Sequence, residues 1–435
     1  MERIRKNQIS RSDPKKVPHG TPLDKTADLN LGTNIIPKER YTSSEFMEKE
    51  WDAIWTKVWL LGCREDQIPE HGDFICTNIG RESVLLVRQE NGQIKAFHNV
   101  CMHRGNRLAD EGLWNATSFV CGYHGWEYDS DGTFVDIPDL ETFPQGKPPC
   151  NGLAELPCGT WASFVWFSLN TEVEPLEEYL GELVGHFEPY HFERMAMTRW
   201  VTAEWNCNWK AGVDAFAEAY HTSITHPQLL WYQEDFDVQI DLYDMHSRYL
   251  IPFGLLSPRV ESVGEIPPPL KHLLTSAGMD PASYEGPING IREAVQQYKR
   301  TTQEEQGKDF SDLHDEQLTD DYNYLVFPNV TTNMHSDDLM LFRHRPHPID
   351  PNKMLFDIWM FELIPEGEEW PELPRHDFRP EGSTRSLGLV IDQDASNLAS
   401  VQAGMQSAGY PGLWLSDQEL RLRHFHKTIS NYVGE

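Results

Sequence analysis

Between residues 101 and 132 the chain reads CMHRGNRLADEGLWNATSFVCGYHGWEYDSDG, and four residues of this stretch constrain the fold more than any others. Cys101 and His103 form a C-x-H pair; after seventeen intervening residues, Cys121 and His124 form a C-x-x-H pair. Two short loops that each offer one thiolate and one imidazole can hold a single tetrahedral ion, such as structural zinc, or a small iron–sulfur cluster. The seven cysteines of the 435-residue chain are an odd number and widely scattered, which argues against a disulfide framework and turns attention to metal binding.

The pattern lies in a region of β periodicity. GDFICTNIG, SVLLVRQENGQIKAFHNV and GTWASFVWFSLN are short β-branched and aromatic runs, and Asn91-Gly92 supplies a hairpin turn between two of them. A small antiparallel β domain is therefore expected from about Leu61 to Asn170. Ahead of it, Pro14, Pro18, Pro22 and Pro37 break any long helix, so residues 1 to about 40 read as a loose surface arm, followed by a short helix at 43–59.

Beyond residue 172 the texture is mixed. NYLVFPNVTTNM, LMLFRHRPHPID and MLFDIWMFELIP (323–365) alternate like strands of a second sheet. Residues 256–320, rich in Pro, Gly and charge, with a helical IREAVQQYKRTTQEEQ, could close over a site as a lid, and SDQELRLRHFHKTISNYVG is an amphipathic C-terminal helix. Length suggests two or three domains, and the changes of texture divide the chain at 1–50, 51–171 and 172–435.

A net charge of −31 gives no surface for nucleic acid, which needs clustered positive charge. No apolar run approaches the roughly 20 residues of a spanning helix, and the basic start MERIRKNQISRSDPKK leads into no apolar signal core, so a cytoplasmic protein without a membrane partner is expected.

A second constellation lies downstream. NCNWKAGVDAFAEAYHTSITHP (206–227) is expected to be one helix ending at Pro227, with Trp209, Val213, Phe216, Ala217, Tyr220 and Ile224 on a core face. Asp214, Glu218, His221 and Thr225 form a polar stripe on another face, and His226 stands where the chain can turn it back toward His221. Two histidines and a carboxylate suit non-haem Fe(II), although two such histidines can equally be surface residues. In LGLVIDQDASNLASVQAGMQSAG (387–409), Asp392 and Asp394 follow a strand-like run and precede a helix that either could simply cap.

Together, FHNVCMHRGNRLADEG, CGYHGWEYDSDG and NWK followed by Glu218, His221 and His226 resemble the Rieske non-haem iron ring-hydroxylating oxygenases, large (alpha) subunit, from about Tyr41 onward. The respiratory Rieske branch carries disulfide cysteines where this chain has Asn106 and Tyr123. The resemblance implies an α+β fold: a small antiparallel β Rieske domain, then a catalytic domain whose central antiparallel sheet is surrounded by helices. It implies a [2Fe–2S] cluster on Cys101, His103, Cys121 and His124, and mononuclear Fe(II) on His221, His226 and Asp394, which precedes Asn397 by three, with Asp392 in reserve. Glu218, where most relatives have aspartate, would bridge His124 of one subunit to His221 of the next in a homotrimer. Glutamate there also occurs in relatives that oxidise trimethylammonium substrates.

The activity so implied is hydroxylation of an aromatic or other cyclic apolar compound with O2; oxidative demethylation of methylated amines or ethers is the alternative, and an electron-transfer iron–sulfur protein is a reading of another class. The chain has no Gly-rich dinucleotide fingerprint, so electrons from NAD(P)H would arrive through a separate reductase or ferredoxin. A small beta subunit is a further possible partner. Asp214 joins Glu218 as a catalytic candidate, and Asp214, Phe216, Leu229, Trp231, Phe327, Asn329 and Phe342 are candidates for the substrate pocket, with YLVFPN resembling the family's pocket-facing strand.

Overall fold

The alternating runs of 323–365 form the middle of an eight-stranded sheet. In a computed structural model of the chain, which describes residues 25–27, 29–261 and 264–435, its order is Gln239–Leu242, Ser247–Ile251, Asp321–Val326, Val330–Met334, Asp338–Pro346, Met354–Leu363, Met195–Trp205 and Asp377–Arg379. The short last strand runs parallel to its neighbour, pairing Asp377 with Val201. Both faces of Met354–Leu363 are covered, Phe356 and Ile358 on one and Trp359 and Phe361 on the other being buried. Asp357, also buried, accepts from Arg343 Nε at 2.6 Å, Arg345 Nε at 2.8 Å and the Thr202 hydroxyl at 2.6 Å.

The described chain falls into two compact units. The smaller comprises Glu48–Gly181 with Pro346–Asp350; the larger comprises Glu182–Arg345, Pro351–Glu435 and the described residues up to Met47. The smaller is antiparallel β, as expected. One sheet has the order Glu155–Leu156, Ile94–His98, Glu82–Arg88, Asp73–Ile79, Gly112–Asn115, and two three-stranded sheets accompany it. One of these, Ser118–Val120, Glu127–Asp129 and Phe134–Asp136, holds the second Cys-His loop between its first two strands.

Four local expectations change. Most of the expected arm lies outside the described residues, but from Ile36 it is docked rather than loose. Ile36–Pro37 pairs with Gly412–Leu413, and Arg40 donates to His426 O and Ser430 Oγ of the C-terminal helix Leu420–Val433. The helix expected over 206–226 is two pieces, Trp209–Phe216 and the single turn Thr222–Thr225. Asn208 caps the first by accepting the Lys210 N–H, and Glu218 ends the run because its carboxylate takes the Tyr220 and His221 N–H groups that a continuing helix would need. The break leaves Tyr220 and Ile224 51% and 84% exposed, off the core face assigned to them.

The run before Asp392 is not strand-like: Leu389 opens a helix to Met405 that contains both aspartates. Among its described residues, the segment 256–320 contributes none to the lining of the cavity described below. Its helices Pro268–Ser276 and Ile291–Tyr298 close on their own core of Leu256, Leu270, Leu274, Ile291 and Val295.

Candidate metal centres and cavity

The two Cys-His loops are near copies of each other. Cys101 N donates to Asn106 O and Gly105 N returns to Cys101 O; Cys121 N donates to Trp126 O and Gly125 N returns to Cys121 O, at 2.8–3.0 Å. Gly105 and Gly125 each turn at φ near 75°, a conformation that favours glycine. Each loop thereby presents its cysteine and histidine to the same side. The His103 and His124 rings lie 4.5 Å apart, and Trp126 stacks on His103 at 4.8 Å. Asn99 pins the first loop by accepting from Leu108 N and Ala109 N.

Both cysteines are buried and free, and His103 Nδ1 is buried without a hydrogen-bond partner among the described residues. Burial raises Cys101; at Cys121 the same effect is outweighed by N–H groups of Tyr123 and His124 and by the Cys101 thiol, so that thiol is lowered. Tyr128 accepts the Met102 N–H, and its hydroxyl lies 3.2 Å from Cys101 Sγ. The donor set, the orphaned Nδ1 and the sulfur-facing donors fit a Rieske cluster. Neither Asn106 nor Tyr123 offers a thiol.

In the larger unit the break at Glu218 sets the second site. His226 Nε2 lies 2.9 Å and His221 Nε2 3.6 Å from Asp394 Oδ1, and the three ligand atoms fall within 4.8 Å of one another. The opposite nitrogen of each ring is held: His221 Nδ1 by Glu218 Oε1 at 2.5 Å and His226 Nδ1 by Gln393 Oε1 at 2.8 Å. Such partners fix the ring and its tautomer, leaving Nε2 free to bind a metal. Burial pulls His221 toward neutrality, but the hydrogen bond and charge of Glu218 outweigh it and raise the group overall. Two histidines and one carboxylate converging from a broken helix and the helix Leu389–Met405 fit a mononuclear iron.

The reserve carboxylate is engaged elsewhere: Asp392 accepts from Ser386 Oγ and Leu387 N at the entry of its helix. Asn397 is exposed.

These residues open on a cavity of about 400 Å³. Phe216, Leu229 and Phe342 line it as expected, with Tyr232, Tyr249, Phe253 and Met360. Four expected lining residues are not among those that line it. Asp214 faces Tyr41 Oη at 2.5 Å and His426. Asn329 exchanges hydrogen bonds with the backbone of His344. Trp231 packs on the core around Leu270, and Phe327 stacks on Tyr432. For Asp214 the cause is the early helix end at Phe216, after which Glu218 no longer follows it on the same helix face.

Sequence reading missed Asp321, Asn333 and His335 at this cavity, and Gln393 behind His226. Only Asp321 carried a signal, as an acidic residue opening a buried apolar strand.

Comparison with known proteins agrees with this geometry. Residues 58–155 match the Rieske [2Fe-2S] domain family, and residues 192–435 match the ring hydroxylating alpha subunit family (catalytic domain). The chain belongs to the ring-hydroxylating alpha subunit family, and its cofactors are a [2Fe–2S] cluster and a mononuclear non-haem iron.

Among its relatives, the biphenyl 2,3-dioxygenase subunit alpha of Rhodococcus jostii (strain RHA1) is 34% identical over 202 residues, 44% of this chain and 43% of that protein. The glycine betaine monooxygenase oxygenase subunit of Pseudomonas aeruginosa (strain UCBPP-PA14) is 31% identical over 195 residues, 45% of each. The chain thus spans less than half the length of these relatives. The solved structure of a quaternary ammonium Rieske monooxygenase, 17% identical, superposes with a TM-score of 0.68 over 92% of this chain and 95% of that one, a likeness of fold. Among the described residues no helix is long and apolar enough to cross a membrane.

Proposed function

We propose that this chain is the terminal component of a Rieske oxygenase that hydroxylates an aromatic or other cyclic compound in a catabolic route. The observation that carries the reading is the convergence of His221, His226 and Asp394 on a largely apolar cavity, in a chain that also holds two paired Cys-His loops. Cys101, His103, Cys121 and His124, within 51–171, would hold the cluster, and His221, His226 and Asp394, within 172–435, the iron. Bound there, the two groups divide the redox work, one-electron supply at the cluster and dioxygen activation at the mononuclear iron. Glu218 and Gln393 orient the two imidazoles, while Phe216, Phe342 and Leu229 exclude water and hold the substrate ring. Electrons would come from NAD(P)H through a separate reductase or ferredoxin in the cytoplasm. His124 is exposed, which suits its pairing with Glu218 of a neighbouring subunit in a homotrimer, with or without a small beta subunit.

Glu218 favours one second reading, oxidative demethylation of a methylated amine or ether. Its support is the resemblance noted for glutamate at this position and the likeness to the glycine betaine monooxygenase subunit. The deciding experiment is a screen of aromatic acids, hydrocarbons and methylated amines, scoring product-coupled O2 consumption with a reductase and ferredoxin. Coupled uptake that His226→Ala abolishes is expected. Wild-type protein that shows no coupled uptake with any compound would leave only an electron-transfer protein, and coupled uptake that persists in His226→Ala would take the oxygen site away from this residue.

A further inference from the structure

One end of the cavity is polar in a way the iron ligands do not use. The strands Asp321–Val326 and Val330–Met334 pair Tyr322 with Met334, and Asp321 and His335 are the next residues along each. Asp321 is 2% exposed; its Oδ2 accepts from Asn333 Nδ2 at 2.5 Å, and its Oδ1 is buried with no hydrogen-bond partner among the described residues. His335 Nδ1 pairs with Asp338 Oδ1 at 2.9 Å, leaving Nε2 equally buried and unpartnered. Both residues line the cavity, beside the rings of Tyr232 and Phe253. Burial favours neutral imidazole, but Asp338 and Asp321 outweigh it and raise His335 to about 9, so Nε2 carries a hydrogen at neutral pH.

A bare acceptor and a bare donor thus share one apolar chamber. An unsubstituted hydrocarbon filling it would displace solvent from both and replace it with nothing. A trimethylammonium group has no N–H or O–H to give Oδ1. It would also find the Asp321 charge partly offset: burial raises that carboxyl to about 6, and His335 and the buried Arg421 guanidinium act against the rise. We propose that Asp321 and His335 determine specificity in this cavity. They select a ring compound bearing a neutral group that both donates and accepts a hydrogen bond, such as a hydroxyl or a carboxamide.

The inference rests on the cavity being the substrate site, and its test needs no turnover, so it stands or falls independently of oxygenation. Equilibrium binding of toluene, benzyl alcohol, benzamide and benzyltrimethylammonium to the anaerobic holoprotein should favour the alcohol or the amide over toluene by roughly tenfold or more. In Asp321→Leu/His335→Leu the preference should vanish while the cluster's visible absorption is unchanged. If that variant does not fold, Asp321→Asn and His335→Gln should each weaken the alcohol at least about threefold and leave toluene unaffected. Equal or tighter binding of toluene overturns the proposal. So does tightest binding of the quaternary ammonium, or a preference that survives the substitutions.

Discussion

Glu218 Oε1 lies 2.5 Å from Nδ1 of His221, while Oε2 of the same carboxylate takes the backbone N–H groups of Tyr220 and His221. One side chain therefore ends its own helix and fixes the imidazole that the break exposes. Glu218→Gln keeps the volume but removes the charge, and its amide can serve only part of this set. Partners of ligating histidines are typically worth about 10- to 100-fold in metal affinity or activity, and a loss of that size is expected. Iron retention under chelator competition and product-coupled O2 uptake measure it. Glu218→Asp restores the charge without the reach and should fall between. Unchanged values in Glu218→Gln would mean that His221 is held by other contacts.

Asp392 and Asp394 form an internal control, two residues apart on one helix with different partners. Asp394→Ala is expected to release the mononuclear iron and abolish coupled O2 uptake while the cluster's visible absorption persists. Asp392→Ala removes only the links to Ser386 and Leu387. It should keep the iron and cost about 1 kcal/mol in urea unfolding. Iron analysis of both variants checks the assignment, and loss of iron from Asp392→Ala instead would reverse it.

The strands around Asp357 and the Cys-His loops were legible in the sequence because period-two alternation and ligand spacing are local signals. The histidines of the second site were legible as a pair for the same reason. The helix joining them was not, since Glu218 competes with backbone carbonyls for two N–H groups and propensity does not register that competition. Asp214 shows the consequence: a continuous helix would align it with Glu218, whereas the broken one leaves it on Tyr41 and His426. Asn333 and His335 were invisible because strand register brings them to the cavity, as was Gln393 because helix rotation brings it to His226, and no sequence neighbour marks them.

Asp357 is the charged hub of the large sheet. Burial would raise its carboxyl, but Arg343 and Arg345 hold it well below the usual range. Asp357→Asn leaves two buried guanidinium groups short of a counter-charge, and breaking such a buried pair costs about 3–5 kcal/mol. Urea unfolding at neutral pH should show that loss. Because the folded value is depressed, the stabilisation is present above the unfolded carboxyl value of 3.8 and is lost only as pH falls through the folded one. The gap between wild type and variant should therefore hold across mildly acid pH and close only in strong acid. A gap already closed at about pH 5 would show that the pairs do not form.

His335 gives the opposite dependence. Burial disfavours its charge, yet Asp338 and Asp321 raise it from 6.5 to about 9. Stability from a raised histidine is fully present below the unfolded value and is lost as pH rises through the folded one, here between about 6.5 and about 9. A rise of this size corresponds to something on the order of 3 kcal/mol. His335→Gln removes the titration. Its deficit against wild type in urea unfolding should be larger at about pH 6 than at about pH 10 by an amount of that order. A deficit that stays constant across this window would show that Asp338 is not holding the imidazolium, and the donor at Nε2 would then be absent from the cavity at neutral pH.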